Sequence, residues 1–252
     1  EITTRLVGSE MCIRDRRSGE ILQADVLFHS NVIALLRKWY FLQTSAYHPA
    51  ARTKTLPDDI TAQLIRYAAA HEIGHCLGLE HNFNASYAYN TEDLRRPEFT
   101  ERYGTTPSIM DYARFNYVAQ PGDGVRYVLP PLLGVYDRYA IRIGYAYLSR
   151  ENTRTVAGWI DEKQNDPMYH CGRMAPSTIP TDPTVQTSDL GNDPVASATY
   201  GIRNLQQILT QLPEWNKKRL TDNPFEEMPA TYTDLQQAYF CLLYTSPSPR
   251  DA

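Results

Sequence analysis

Long runs of any one residue type are missing from this chain of 252 residues. The nearest thing to an apolar stretch, Val32 to Leu42, is broken by Arg37 and Lys38 and falls short of the ~20 residues that cross a bilayer, so no transmembrane segment is expected. No lysine or arginine cluster is long enough to hold a phosphate backbone, and a formal net charge of -4 supplies no attractive field. Nucleic acid is therefore excluded as a partner. Cysteine is sparse: Cys12, Cys76, Cys171 and Cys241 show no C-x-x-C spacing and are too few for a disulfide framework. Internal repeats and low-complexity tracts are also lacking. Hydrophobic residues make up 42% and charged residues 21%, with 17 prolines and 18 tyrosines beside only 13 glycines. That balance fits a folded chain with long ordered loops and aromatic packing.

The two ends differ in character from the rest. Leu6 to Arg16 and Cys241 to Ala252 resemble translated sequencing-adapter read-through, the alternative being natural polar tails. The expected organisation is a foreign tail over 1–16, a core over 17–175, a helical C-terminal extension over 176–240 and a second foreign tail over 241–252. Residues 17–240 then form an internal piece of a longer protein, and the lack of a signal peptide carries no weight.

Local patterns supply the elements. Partial alternation from Glu20 to Phe28, after the turn-like Ser18-Gly19, reads as an edge strand with one polar side. Asn31 to Thr44 predicts a helix with Ile33, Leu36 and Tyr40 on one face. Thr55-Leu56-Pro57-Asp58-Asp59 combines a capping residue, a first-turn proline and two acids suited to a helix N-terminus, which predicts a helix over about 57–77. Ile60, Leu64, Ala68, Ile73 and Leu77 keep its spacing as far as Gly78. Asn82 to Pro131 is expected to be mostly loop, and Tyr136 to Tyr147, Pro194 to Leu212 and Tyr232 to Tyr239 to be helical, with a connector from Pro176 to Asp189.

Three of the six histidines fall within His71-Glu72-Ile73-Gly74-His75-Cys76-Leu77-Gly78-Leu79-Glu80-His81. Four residues along a helix return to nearly the same face about one turn on, so His71 and His75 can present imidazoles to one ion. Gly78 permits the sharp turn that brings His81 back as a third nitrogen ligand. A Zn²⁺ ion so held keeps a fourth position for water and lowers its pKa toward ~7. Glu72, beside the ion without ligating it, is placed to take the proton as general base and to pass it to the departing amine. That is the chemistry of peptide hydrolysis. A bare His-Glu-x-x-His also arises by chance in amphipathic helices that bury histidine. The eleven-residue form, which adds a glycine and a third histidine, is far more specific. His29, His48 and His170 are isolated and receive no role.

This motif resembles that of the metzincin zinc metalloproteases. Downstream, Pro107-Ser108-Ile109-Met110-Asp111-Tyr112 is similar to their Met-turn, with Met110 as an apolar floor beneath the imidazoles. In the astacin-like and serralysin-like branches a tyrosine two positions after that methionine reaches the zinc and then the oxyanion. Tyr112 is open to that reading or to that of a packed aromatic. A longer likeness, covering most of residues 17–240, is to a bacterial family of large extracytoplasmic zinc-dependent metalloproteases. It is carried by Arg17-Ser18-Gly19-Glu20-Ile21, by the zinc helix running on into Asn82-Phe83-Asn84-Ala85-Ser86, and by Ser108 to Asp123. Tyr136-Asp137, Tyr139-Ala140-Ile141 and Asp189 to Val195 extend it. Cys76 departs from the Thr or small residue expected there, on a side chain facing away from the ion. The resemblance implies an α+β fold: a fragment of a zincin catalytic domain over 17–175, mostly helix and loop, with one edge strand lining the cleft and the rest of the upper sheet upstream. It implies Zn²⁺ as cofactor, a peptide or protein substrate, and a secreted or extracytoplasmic location. A catalytically silent zinc-binding domain and an amidase acting on cell-wall peptide remain the alternatives. Substrate preference and oligomeric state are not written in the sequence.

Overall fold

Helices dominate because the apolar residues recur at helical rather than strand spacing. The computed structural model describes residues 10–15, 17–27, 31–53, 56–112, 115–129, 133–147, 153–173, 182–219 and 224–245. Two strands come first, β1 (Glu10–Arg14) and β2 (Ile21–Val26), paired antiparallel from Glu10 opposite Val26, with an irregularity between Ile13 and Arg14. The Asp15 carboxylate closes the turn between them by accepting from the Ser18 hydroxyl at 2.8 Å and the Arg17 N–H at 3.1 Å, while Gly19 takes a positive φ of 75°. Among the described residues this pair is the whole sheet, so the α+β, helix- and loop-dominated architecture expected from sequence is what forms. Phe28, the expected end of the edge strand, lies outside the described residues.

Seven α-helices follow among the described residues: α1 (Asn31–Thr44), α2 (Asp58–Cys76), α3 (Pro97–Tyr103), α4 (Val135–Tyr145), α5 (Thr153–Lys163), α6 (Pro194–Arg219) and α7 (Pro224–Thr245). Helix α1 has two buried sides. Val32, Leu36 and Tyr40, four residues apart, meet Leu64 and Ala68 of α2 together with Phe115 and Val128. Phe41, Leu42 and the following Ala46 meet Leu205, Ile208 and Leu212 of α6 and Leu235 of α7. Val32 takes the core position that the spacing had suggested for Ile33, which is exposed. A third core of Tyr89, Leu94, Tyr117, Val118 and Leu190 lies under the long loop region.

Helix α2 runs within one residue of its expected limits, though Thr55 lies outside the described residues and Pro57 supplies no side-chain cap. Its C-terminus is a Schellman motif. Gly78, at φ 93°, donates to the His75 carbonyl at 2.8 Å, and Leu79 donates to the Gly74 carbonyl at 3.0 Å. Ile73 and Leu77, which share the helical spacing of Leu64 and Ala68, face outward.

Candidate metal centre

The end of α2 does two jobs for the histidines. It turns the chain back so that His81 can meet the helix, and it aims the Leu79 carbonyl at the ring of His75, whose Nδ1 lies 2.9 Å away. The His71 Nδ1 lies 2.7 Å from the Ile109 carbonyl. A carbonyl only accepts, so both Nδ1 atoms carry the ring proton and both Nε2 atoms present lone pairs. Those lone pairs converge: His75 Nε2 and His71 Nε2 lie 3.1 and 3.3 Å from His81 Nε2. Four tetrahedral ligands at ~2.0–2.1 Å from zinc would stand about 3.3 Å apart. One proton on His81 could serve one of these contacts and not both, whereas a shared cation satisfies all three rings. The three donor atoms lie within 4.8 Å of one another, the only such histidine, cysteine or carboxylate group among the described residues.

Burial sets the protonation. It pushes His71 down to about 3, the neighbouring histidines adding to the effect and the bond to Ile109 opposing it. Burial, helped by His75, pushes His81 down to about 4. Neutral imidazoles are the form that binds metal.

Met110 packs against α2 at Gly74. It is fully buried, and a Cβ placed on Gly74 would come within 2.5 Å of its Sδ atom. Gly74 therefore lets the methionine approach the helix between His71 and His75. The turn is held from within and from outside: Met110 N–H donates to the Ser108 hydroxyl at 3.1 Å, and the Met110 carbonyl accepts from the backbone N–H of Asn82 at 3.0 Å. Tyr112 flanks the rings, its centroid 4.5 Å from that of His81 and 5.8 Å from that of His71. Phe83 stacks on His81 at 5.1 Å and also meets the Tyr112 ring at 5.2 Å, so the three rings pack against one another.

The Met-zincin family profile matches residues 53–244, more than half of the chain. The chain belongs to the Met-zincin family. No curated protein and no solved structure matches it.

A Met-zincin is thereby expected to hold zinc, and the donor set here fits: three imidazole nitrogens, two of them on rings oriented by backbone carbonyls. Glu72 sits on α2 between the first two ligand candidates and is buried at 5% exposure. Every residue singled out for the site, His71, His75, His81, Glu72, Met110 and Tyr112, falls in this one region or on its helix. His48 packs edge-on against Tyr40, and His170 lies 2.9 Å through its Nε2 from the Gln164 carbonyl, so neither joins the site. His29, Ala113 and Arg114 lie outside the described residues.

Sequence reasoning missed the groups that support the turn. Asp137, fully buried, accepts from the Ser108 hydroxyl at 2.7 Å and from Ile109 N–H at 2.8 Å. Burial raises its pKa, and these hydrogen bonds work against the rise. Asp111 accepts from Ser86 N–H at 2.7 Å, tying the turn to the segment after His81, and Asp189 accepts from the Ser86 hydroxyl at 3.2 Å. Burial, with Asp189 nearby, raises Asp111 well above the usual carboxylate range, and burial pushes Asp189 up to about 7. These contacts span 25 to 103 residues of chain and leave no local signature. Gly74 signals only the approach of Met110, because glycine inside a helix sacrifices ~1 kcal/mol relative to alanine and so marks a close approach.

Proposed function

We propose that this Met-zincin is a zinc-dependent endopeptidase in which His71, His75 and His81 hold the metal, Glu72 is the general base and Tyr112 assists at the substrate carbonyl. The observation that carries the reading is the convergence of the three Nε2 atoms, two of them 3.1 and 3.3 Å from the third. When bound, zinc supplies Lewis acidity for a peptide carbonyl and acidifies a water toward pKa ~7. Glu72, buried in the second turn from the end of α2, accepts the proton that the water loses as it attacks. The same carboxylic acid then donates to the amine nitrogen as the peptide bond breaks. Tyr112, packed beside His71 and His81, donates its phenol hydrogen toward the carbonyl oxygen as negative charge gathers there. Met110 fills the space below the rings with a thioether and so holds them without competing as a ligand. Strand β2, which pairs only with β1 among the described residues, offers backbone groups to an extended substrate strand.

The test is Glu72→Gln in the zinc-loaded protein, assayed against a peptide library. Removal of a general base is expected to lower turnover ~10²–10⁴-fold, with zinc content unchanged. Equal cleavage by the variant and the parent would overturn the assignment.

A further inference from the structure

Asp137 has no place in the chemistry above, and its surroundings raise the question of what a charged group does there. It is fully buried on the first turn of α4, and no lysine or arginine forms an ion pair with it among the described residues. A buried carboxylate without a cation is unfavourable unless its lone pairs are filled. Three donors fill them: the Ser108 hydroxyl at 2.7 Å on Oδ1, and the N–H groups of Ile109 at 2.8 Å and Gly134 at 2.7 Å on Oδ2. Two of the three belong to the residues just before Met110. Tyr136 N–H, also in the first turn of α4, donates to the Pro107 carbonyl at 3.1 Å. Gly134 is required for this approach, since any Cβ there would run into the Pro107 carbonyl.

The next link leads to the metal. Ile109, whose N–H is held by Asp137, is the residue whose carbonyl lies 2.7 Å from the His71 Nδ1. The N–H and the carbonyl of Ile109 belong to adjacent peptide units joined at its Cα, so a displacement of that residue disturbs both bonds. Many metal-binding histidines donate directly to a carboxylate, which fixes the ring and strengthens its other nitrogen as a ligand. Here the carboxylate acts one residue removed.

We propose that Asp137 is a positioning residue for the metal, setting the ring of His71 through the backbone of Ile109 and stabilising the bound cation with its negative charge. The inference rests on the metal site proposed above. It gives the carboxylate a purpose that an amide of the same shape would not fulfil. An asparagine could still accept from both N–H groups, so shape is preserved, while the charge is lost and the Ser108 hydroxyl, which donates to the carboxylate, must turn to another acceptor. Alanine loses the hydrogen bonds as well.

The experiment measures zinc affinity of the full chain by competition with a chromophoric chelator, and the visible spectrum of the cobalt-loaded form, for the parent, Asp137→Asn, Asp137→Ala and a control, Asp123→Asn. The control breaks the Arg95–Asp123 ion pair, 2.8 Å long and separate from the Met110 turn. Loss of a group that orients a metal ligand typically reduces metal affinity ~10–100-fold. Asp137→Asn is expected near the lower end, Asp137→Ala near the upper end, both with shifted cobalt bands, and Asp123→Asn with neither change. Parent-like affinity and cobalt spectra in both Asp137 variants would overturn the inference. So would loss of the folded metal-free protein in both, because Asp137 would then serve the fold and not the metal. Failure of the parent itself to bind zinc or cobalt would instead remove the underlying metal site.

Discussion

The surroundings of Met110 and the contact between α1, α6 and α7 are both buried, yet one is filled with polar groups and the other with hydrocarbon. Near the turn, Asn82, Ser86, Ser108, Asp111 and Asp137 are all at or below 1% exposure. Across the molecule, the enclosed side chains are Phe41, Leu42, Leu205, Ile208, Leu212 and Leu235. Hydrocarbon packing is non-directional and fixes an average distance, while buried hydrogen bonds fix orientation to within a fraction of an ångström. The difference teaches where accuracy is needed. A site that must aim three ring nitrogens at one point is built on directional bonds, and the helical region need only stay closed.

Substitutions on each side should therefore fail in different ways. The largest effect expected is His75→Ala, which removes a ligand and should weaken zinc binding by more than the ~100-fold upper range seen for supporting residues, with little change in the melting temperature of the metal-free protein. Isothermal titration beside thermal melts reads both quantities. On the other side, Leu212→Ala should destabilise the fold by ~2–5 kcal/mol, the range for a fully buried leucine, and leave zinc affinity unaltered. Equal losses of affinity in the two variants would erase the distinction.

Much of this division was legible in the sequence, and the limits are instructive. Helix α1 begins and ends at the expected residues, and α2 departs by one at each end, because apolar spacing, the two acids in its first turn and Gly78 are all local signals. The histidine triad was visible for the same reason. By contrast, α3 lies inside the segment expected to be loop, and α5 was not anticipated. Helix α6 continues through Pro213 to Arg219, and α7 begins at Pro224 rather than near Tyr232. Proline discouraged a longer α6, but a proline in a helix removes one hydrogen bond without forbidding continuation when neighbouring packing holds the chain. Strand β1 lies within the stretch read as foreign to the core. The polar support of the turn was illegible because Asp137 reaches back 28 and 29 residues, and no periodicity encodes such a bond.

A smaller effect is expected where the two kinds of packing meet. Gly74→Ala places a methyl group against Met110, an overpacking that costs ~1–3 kcal/mol, offset in part by ~1 kcal/mol of helix propensity. Combining it with Met110→Ala should relieve the clash. A double-mutant cycle on melting free energies would then show a coupling above ~0.5 kcal/mol, whereas additive effects would place the methionine elsewhere.

The last effect concerns pH. Asp189, pushed up to about 7 by burial, holds its proton in the folded state after an unfolded aspartate, near 3.9, has released it. The folded state thus binds more protons between those values, and its stability falls as pH rises from about 4 to about 7. Asp189→Asn should flatten that slope in denaturant melts at pH 5 and pH 8, and an unchanged slope would reassign it to other groups. Hydrocarbon packing around Ile208 and Leu212 contributes no such slope.

X-ray absorption at the zinc edge of the metal-loaded protein tests the geometry most directly. Three imidazole ligands with zinc–nitrogen distances of ~2.0–2.1 Å and one oxygen are expected, dropping to two imidazoles in His81→Ala. A parent spectrum with two or fewer imidazoles, or one unaffected by that substitution, would contradict a centre shared by His71, His75 and His81.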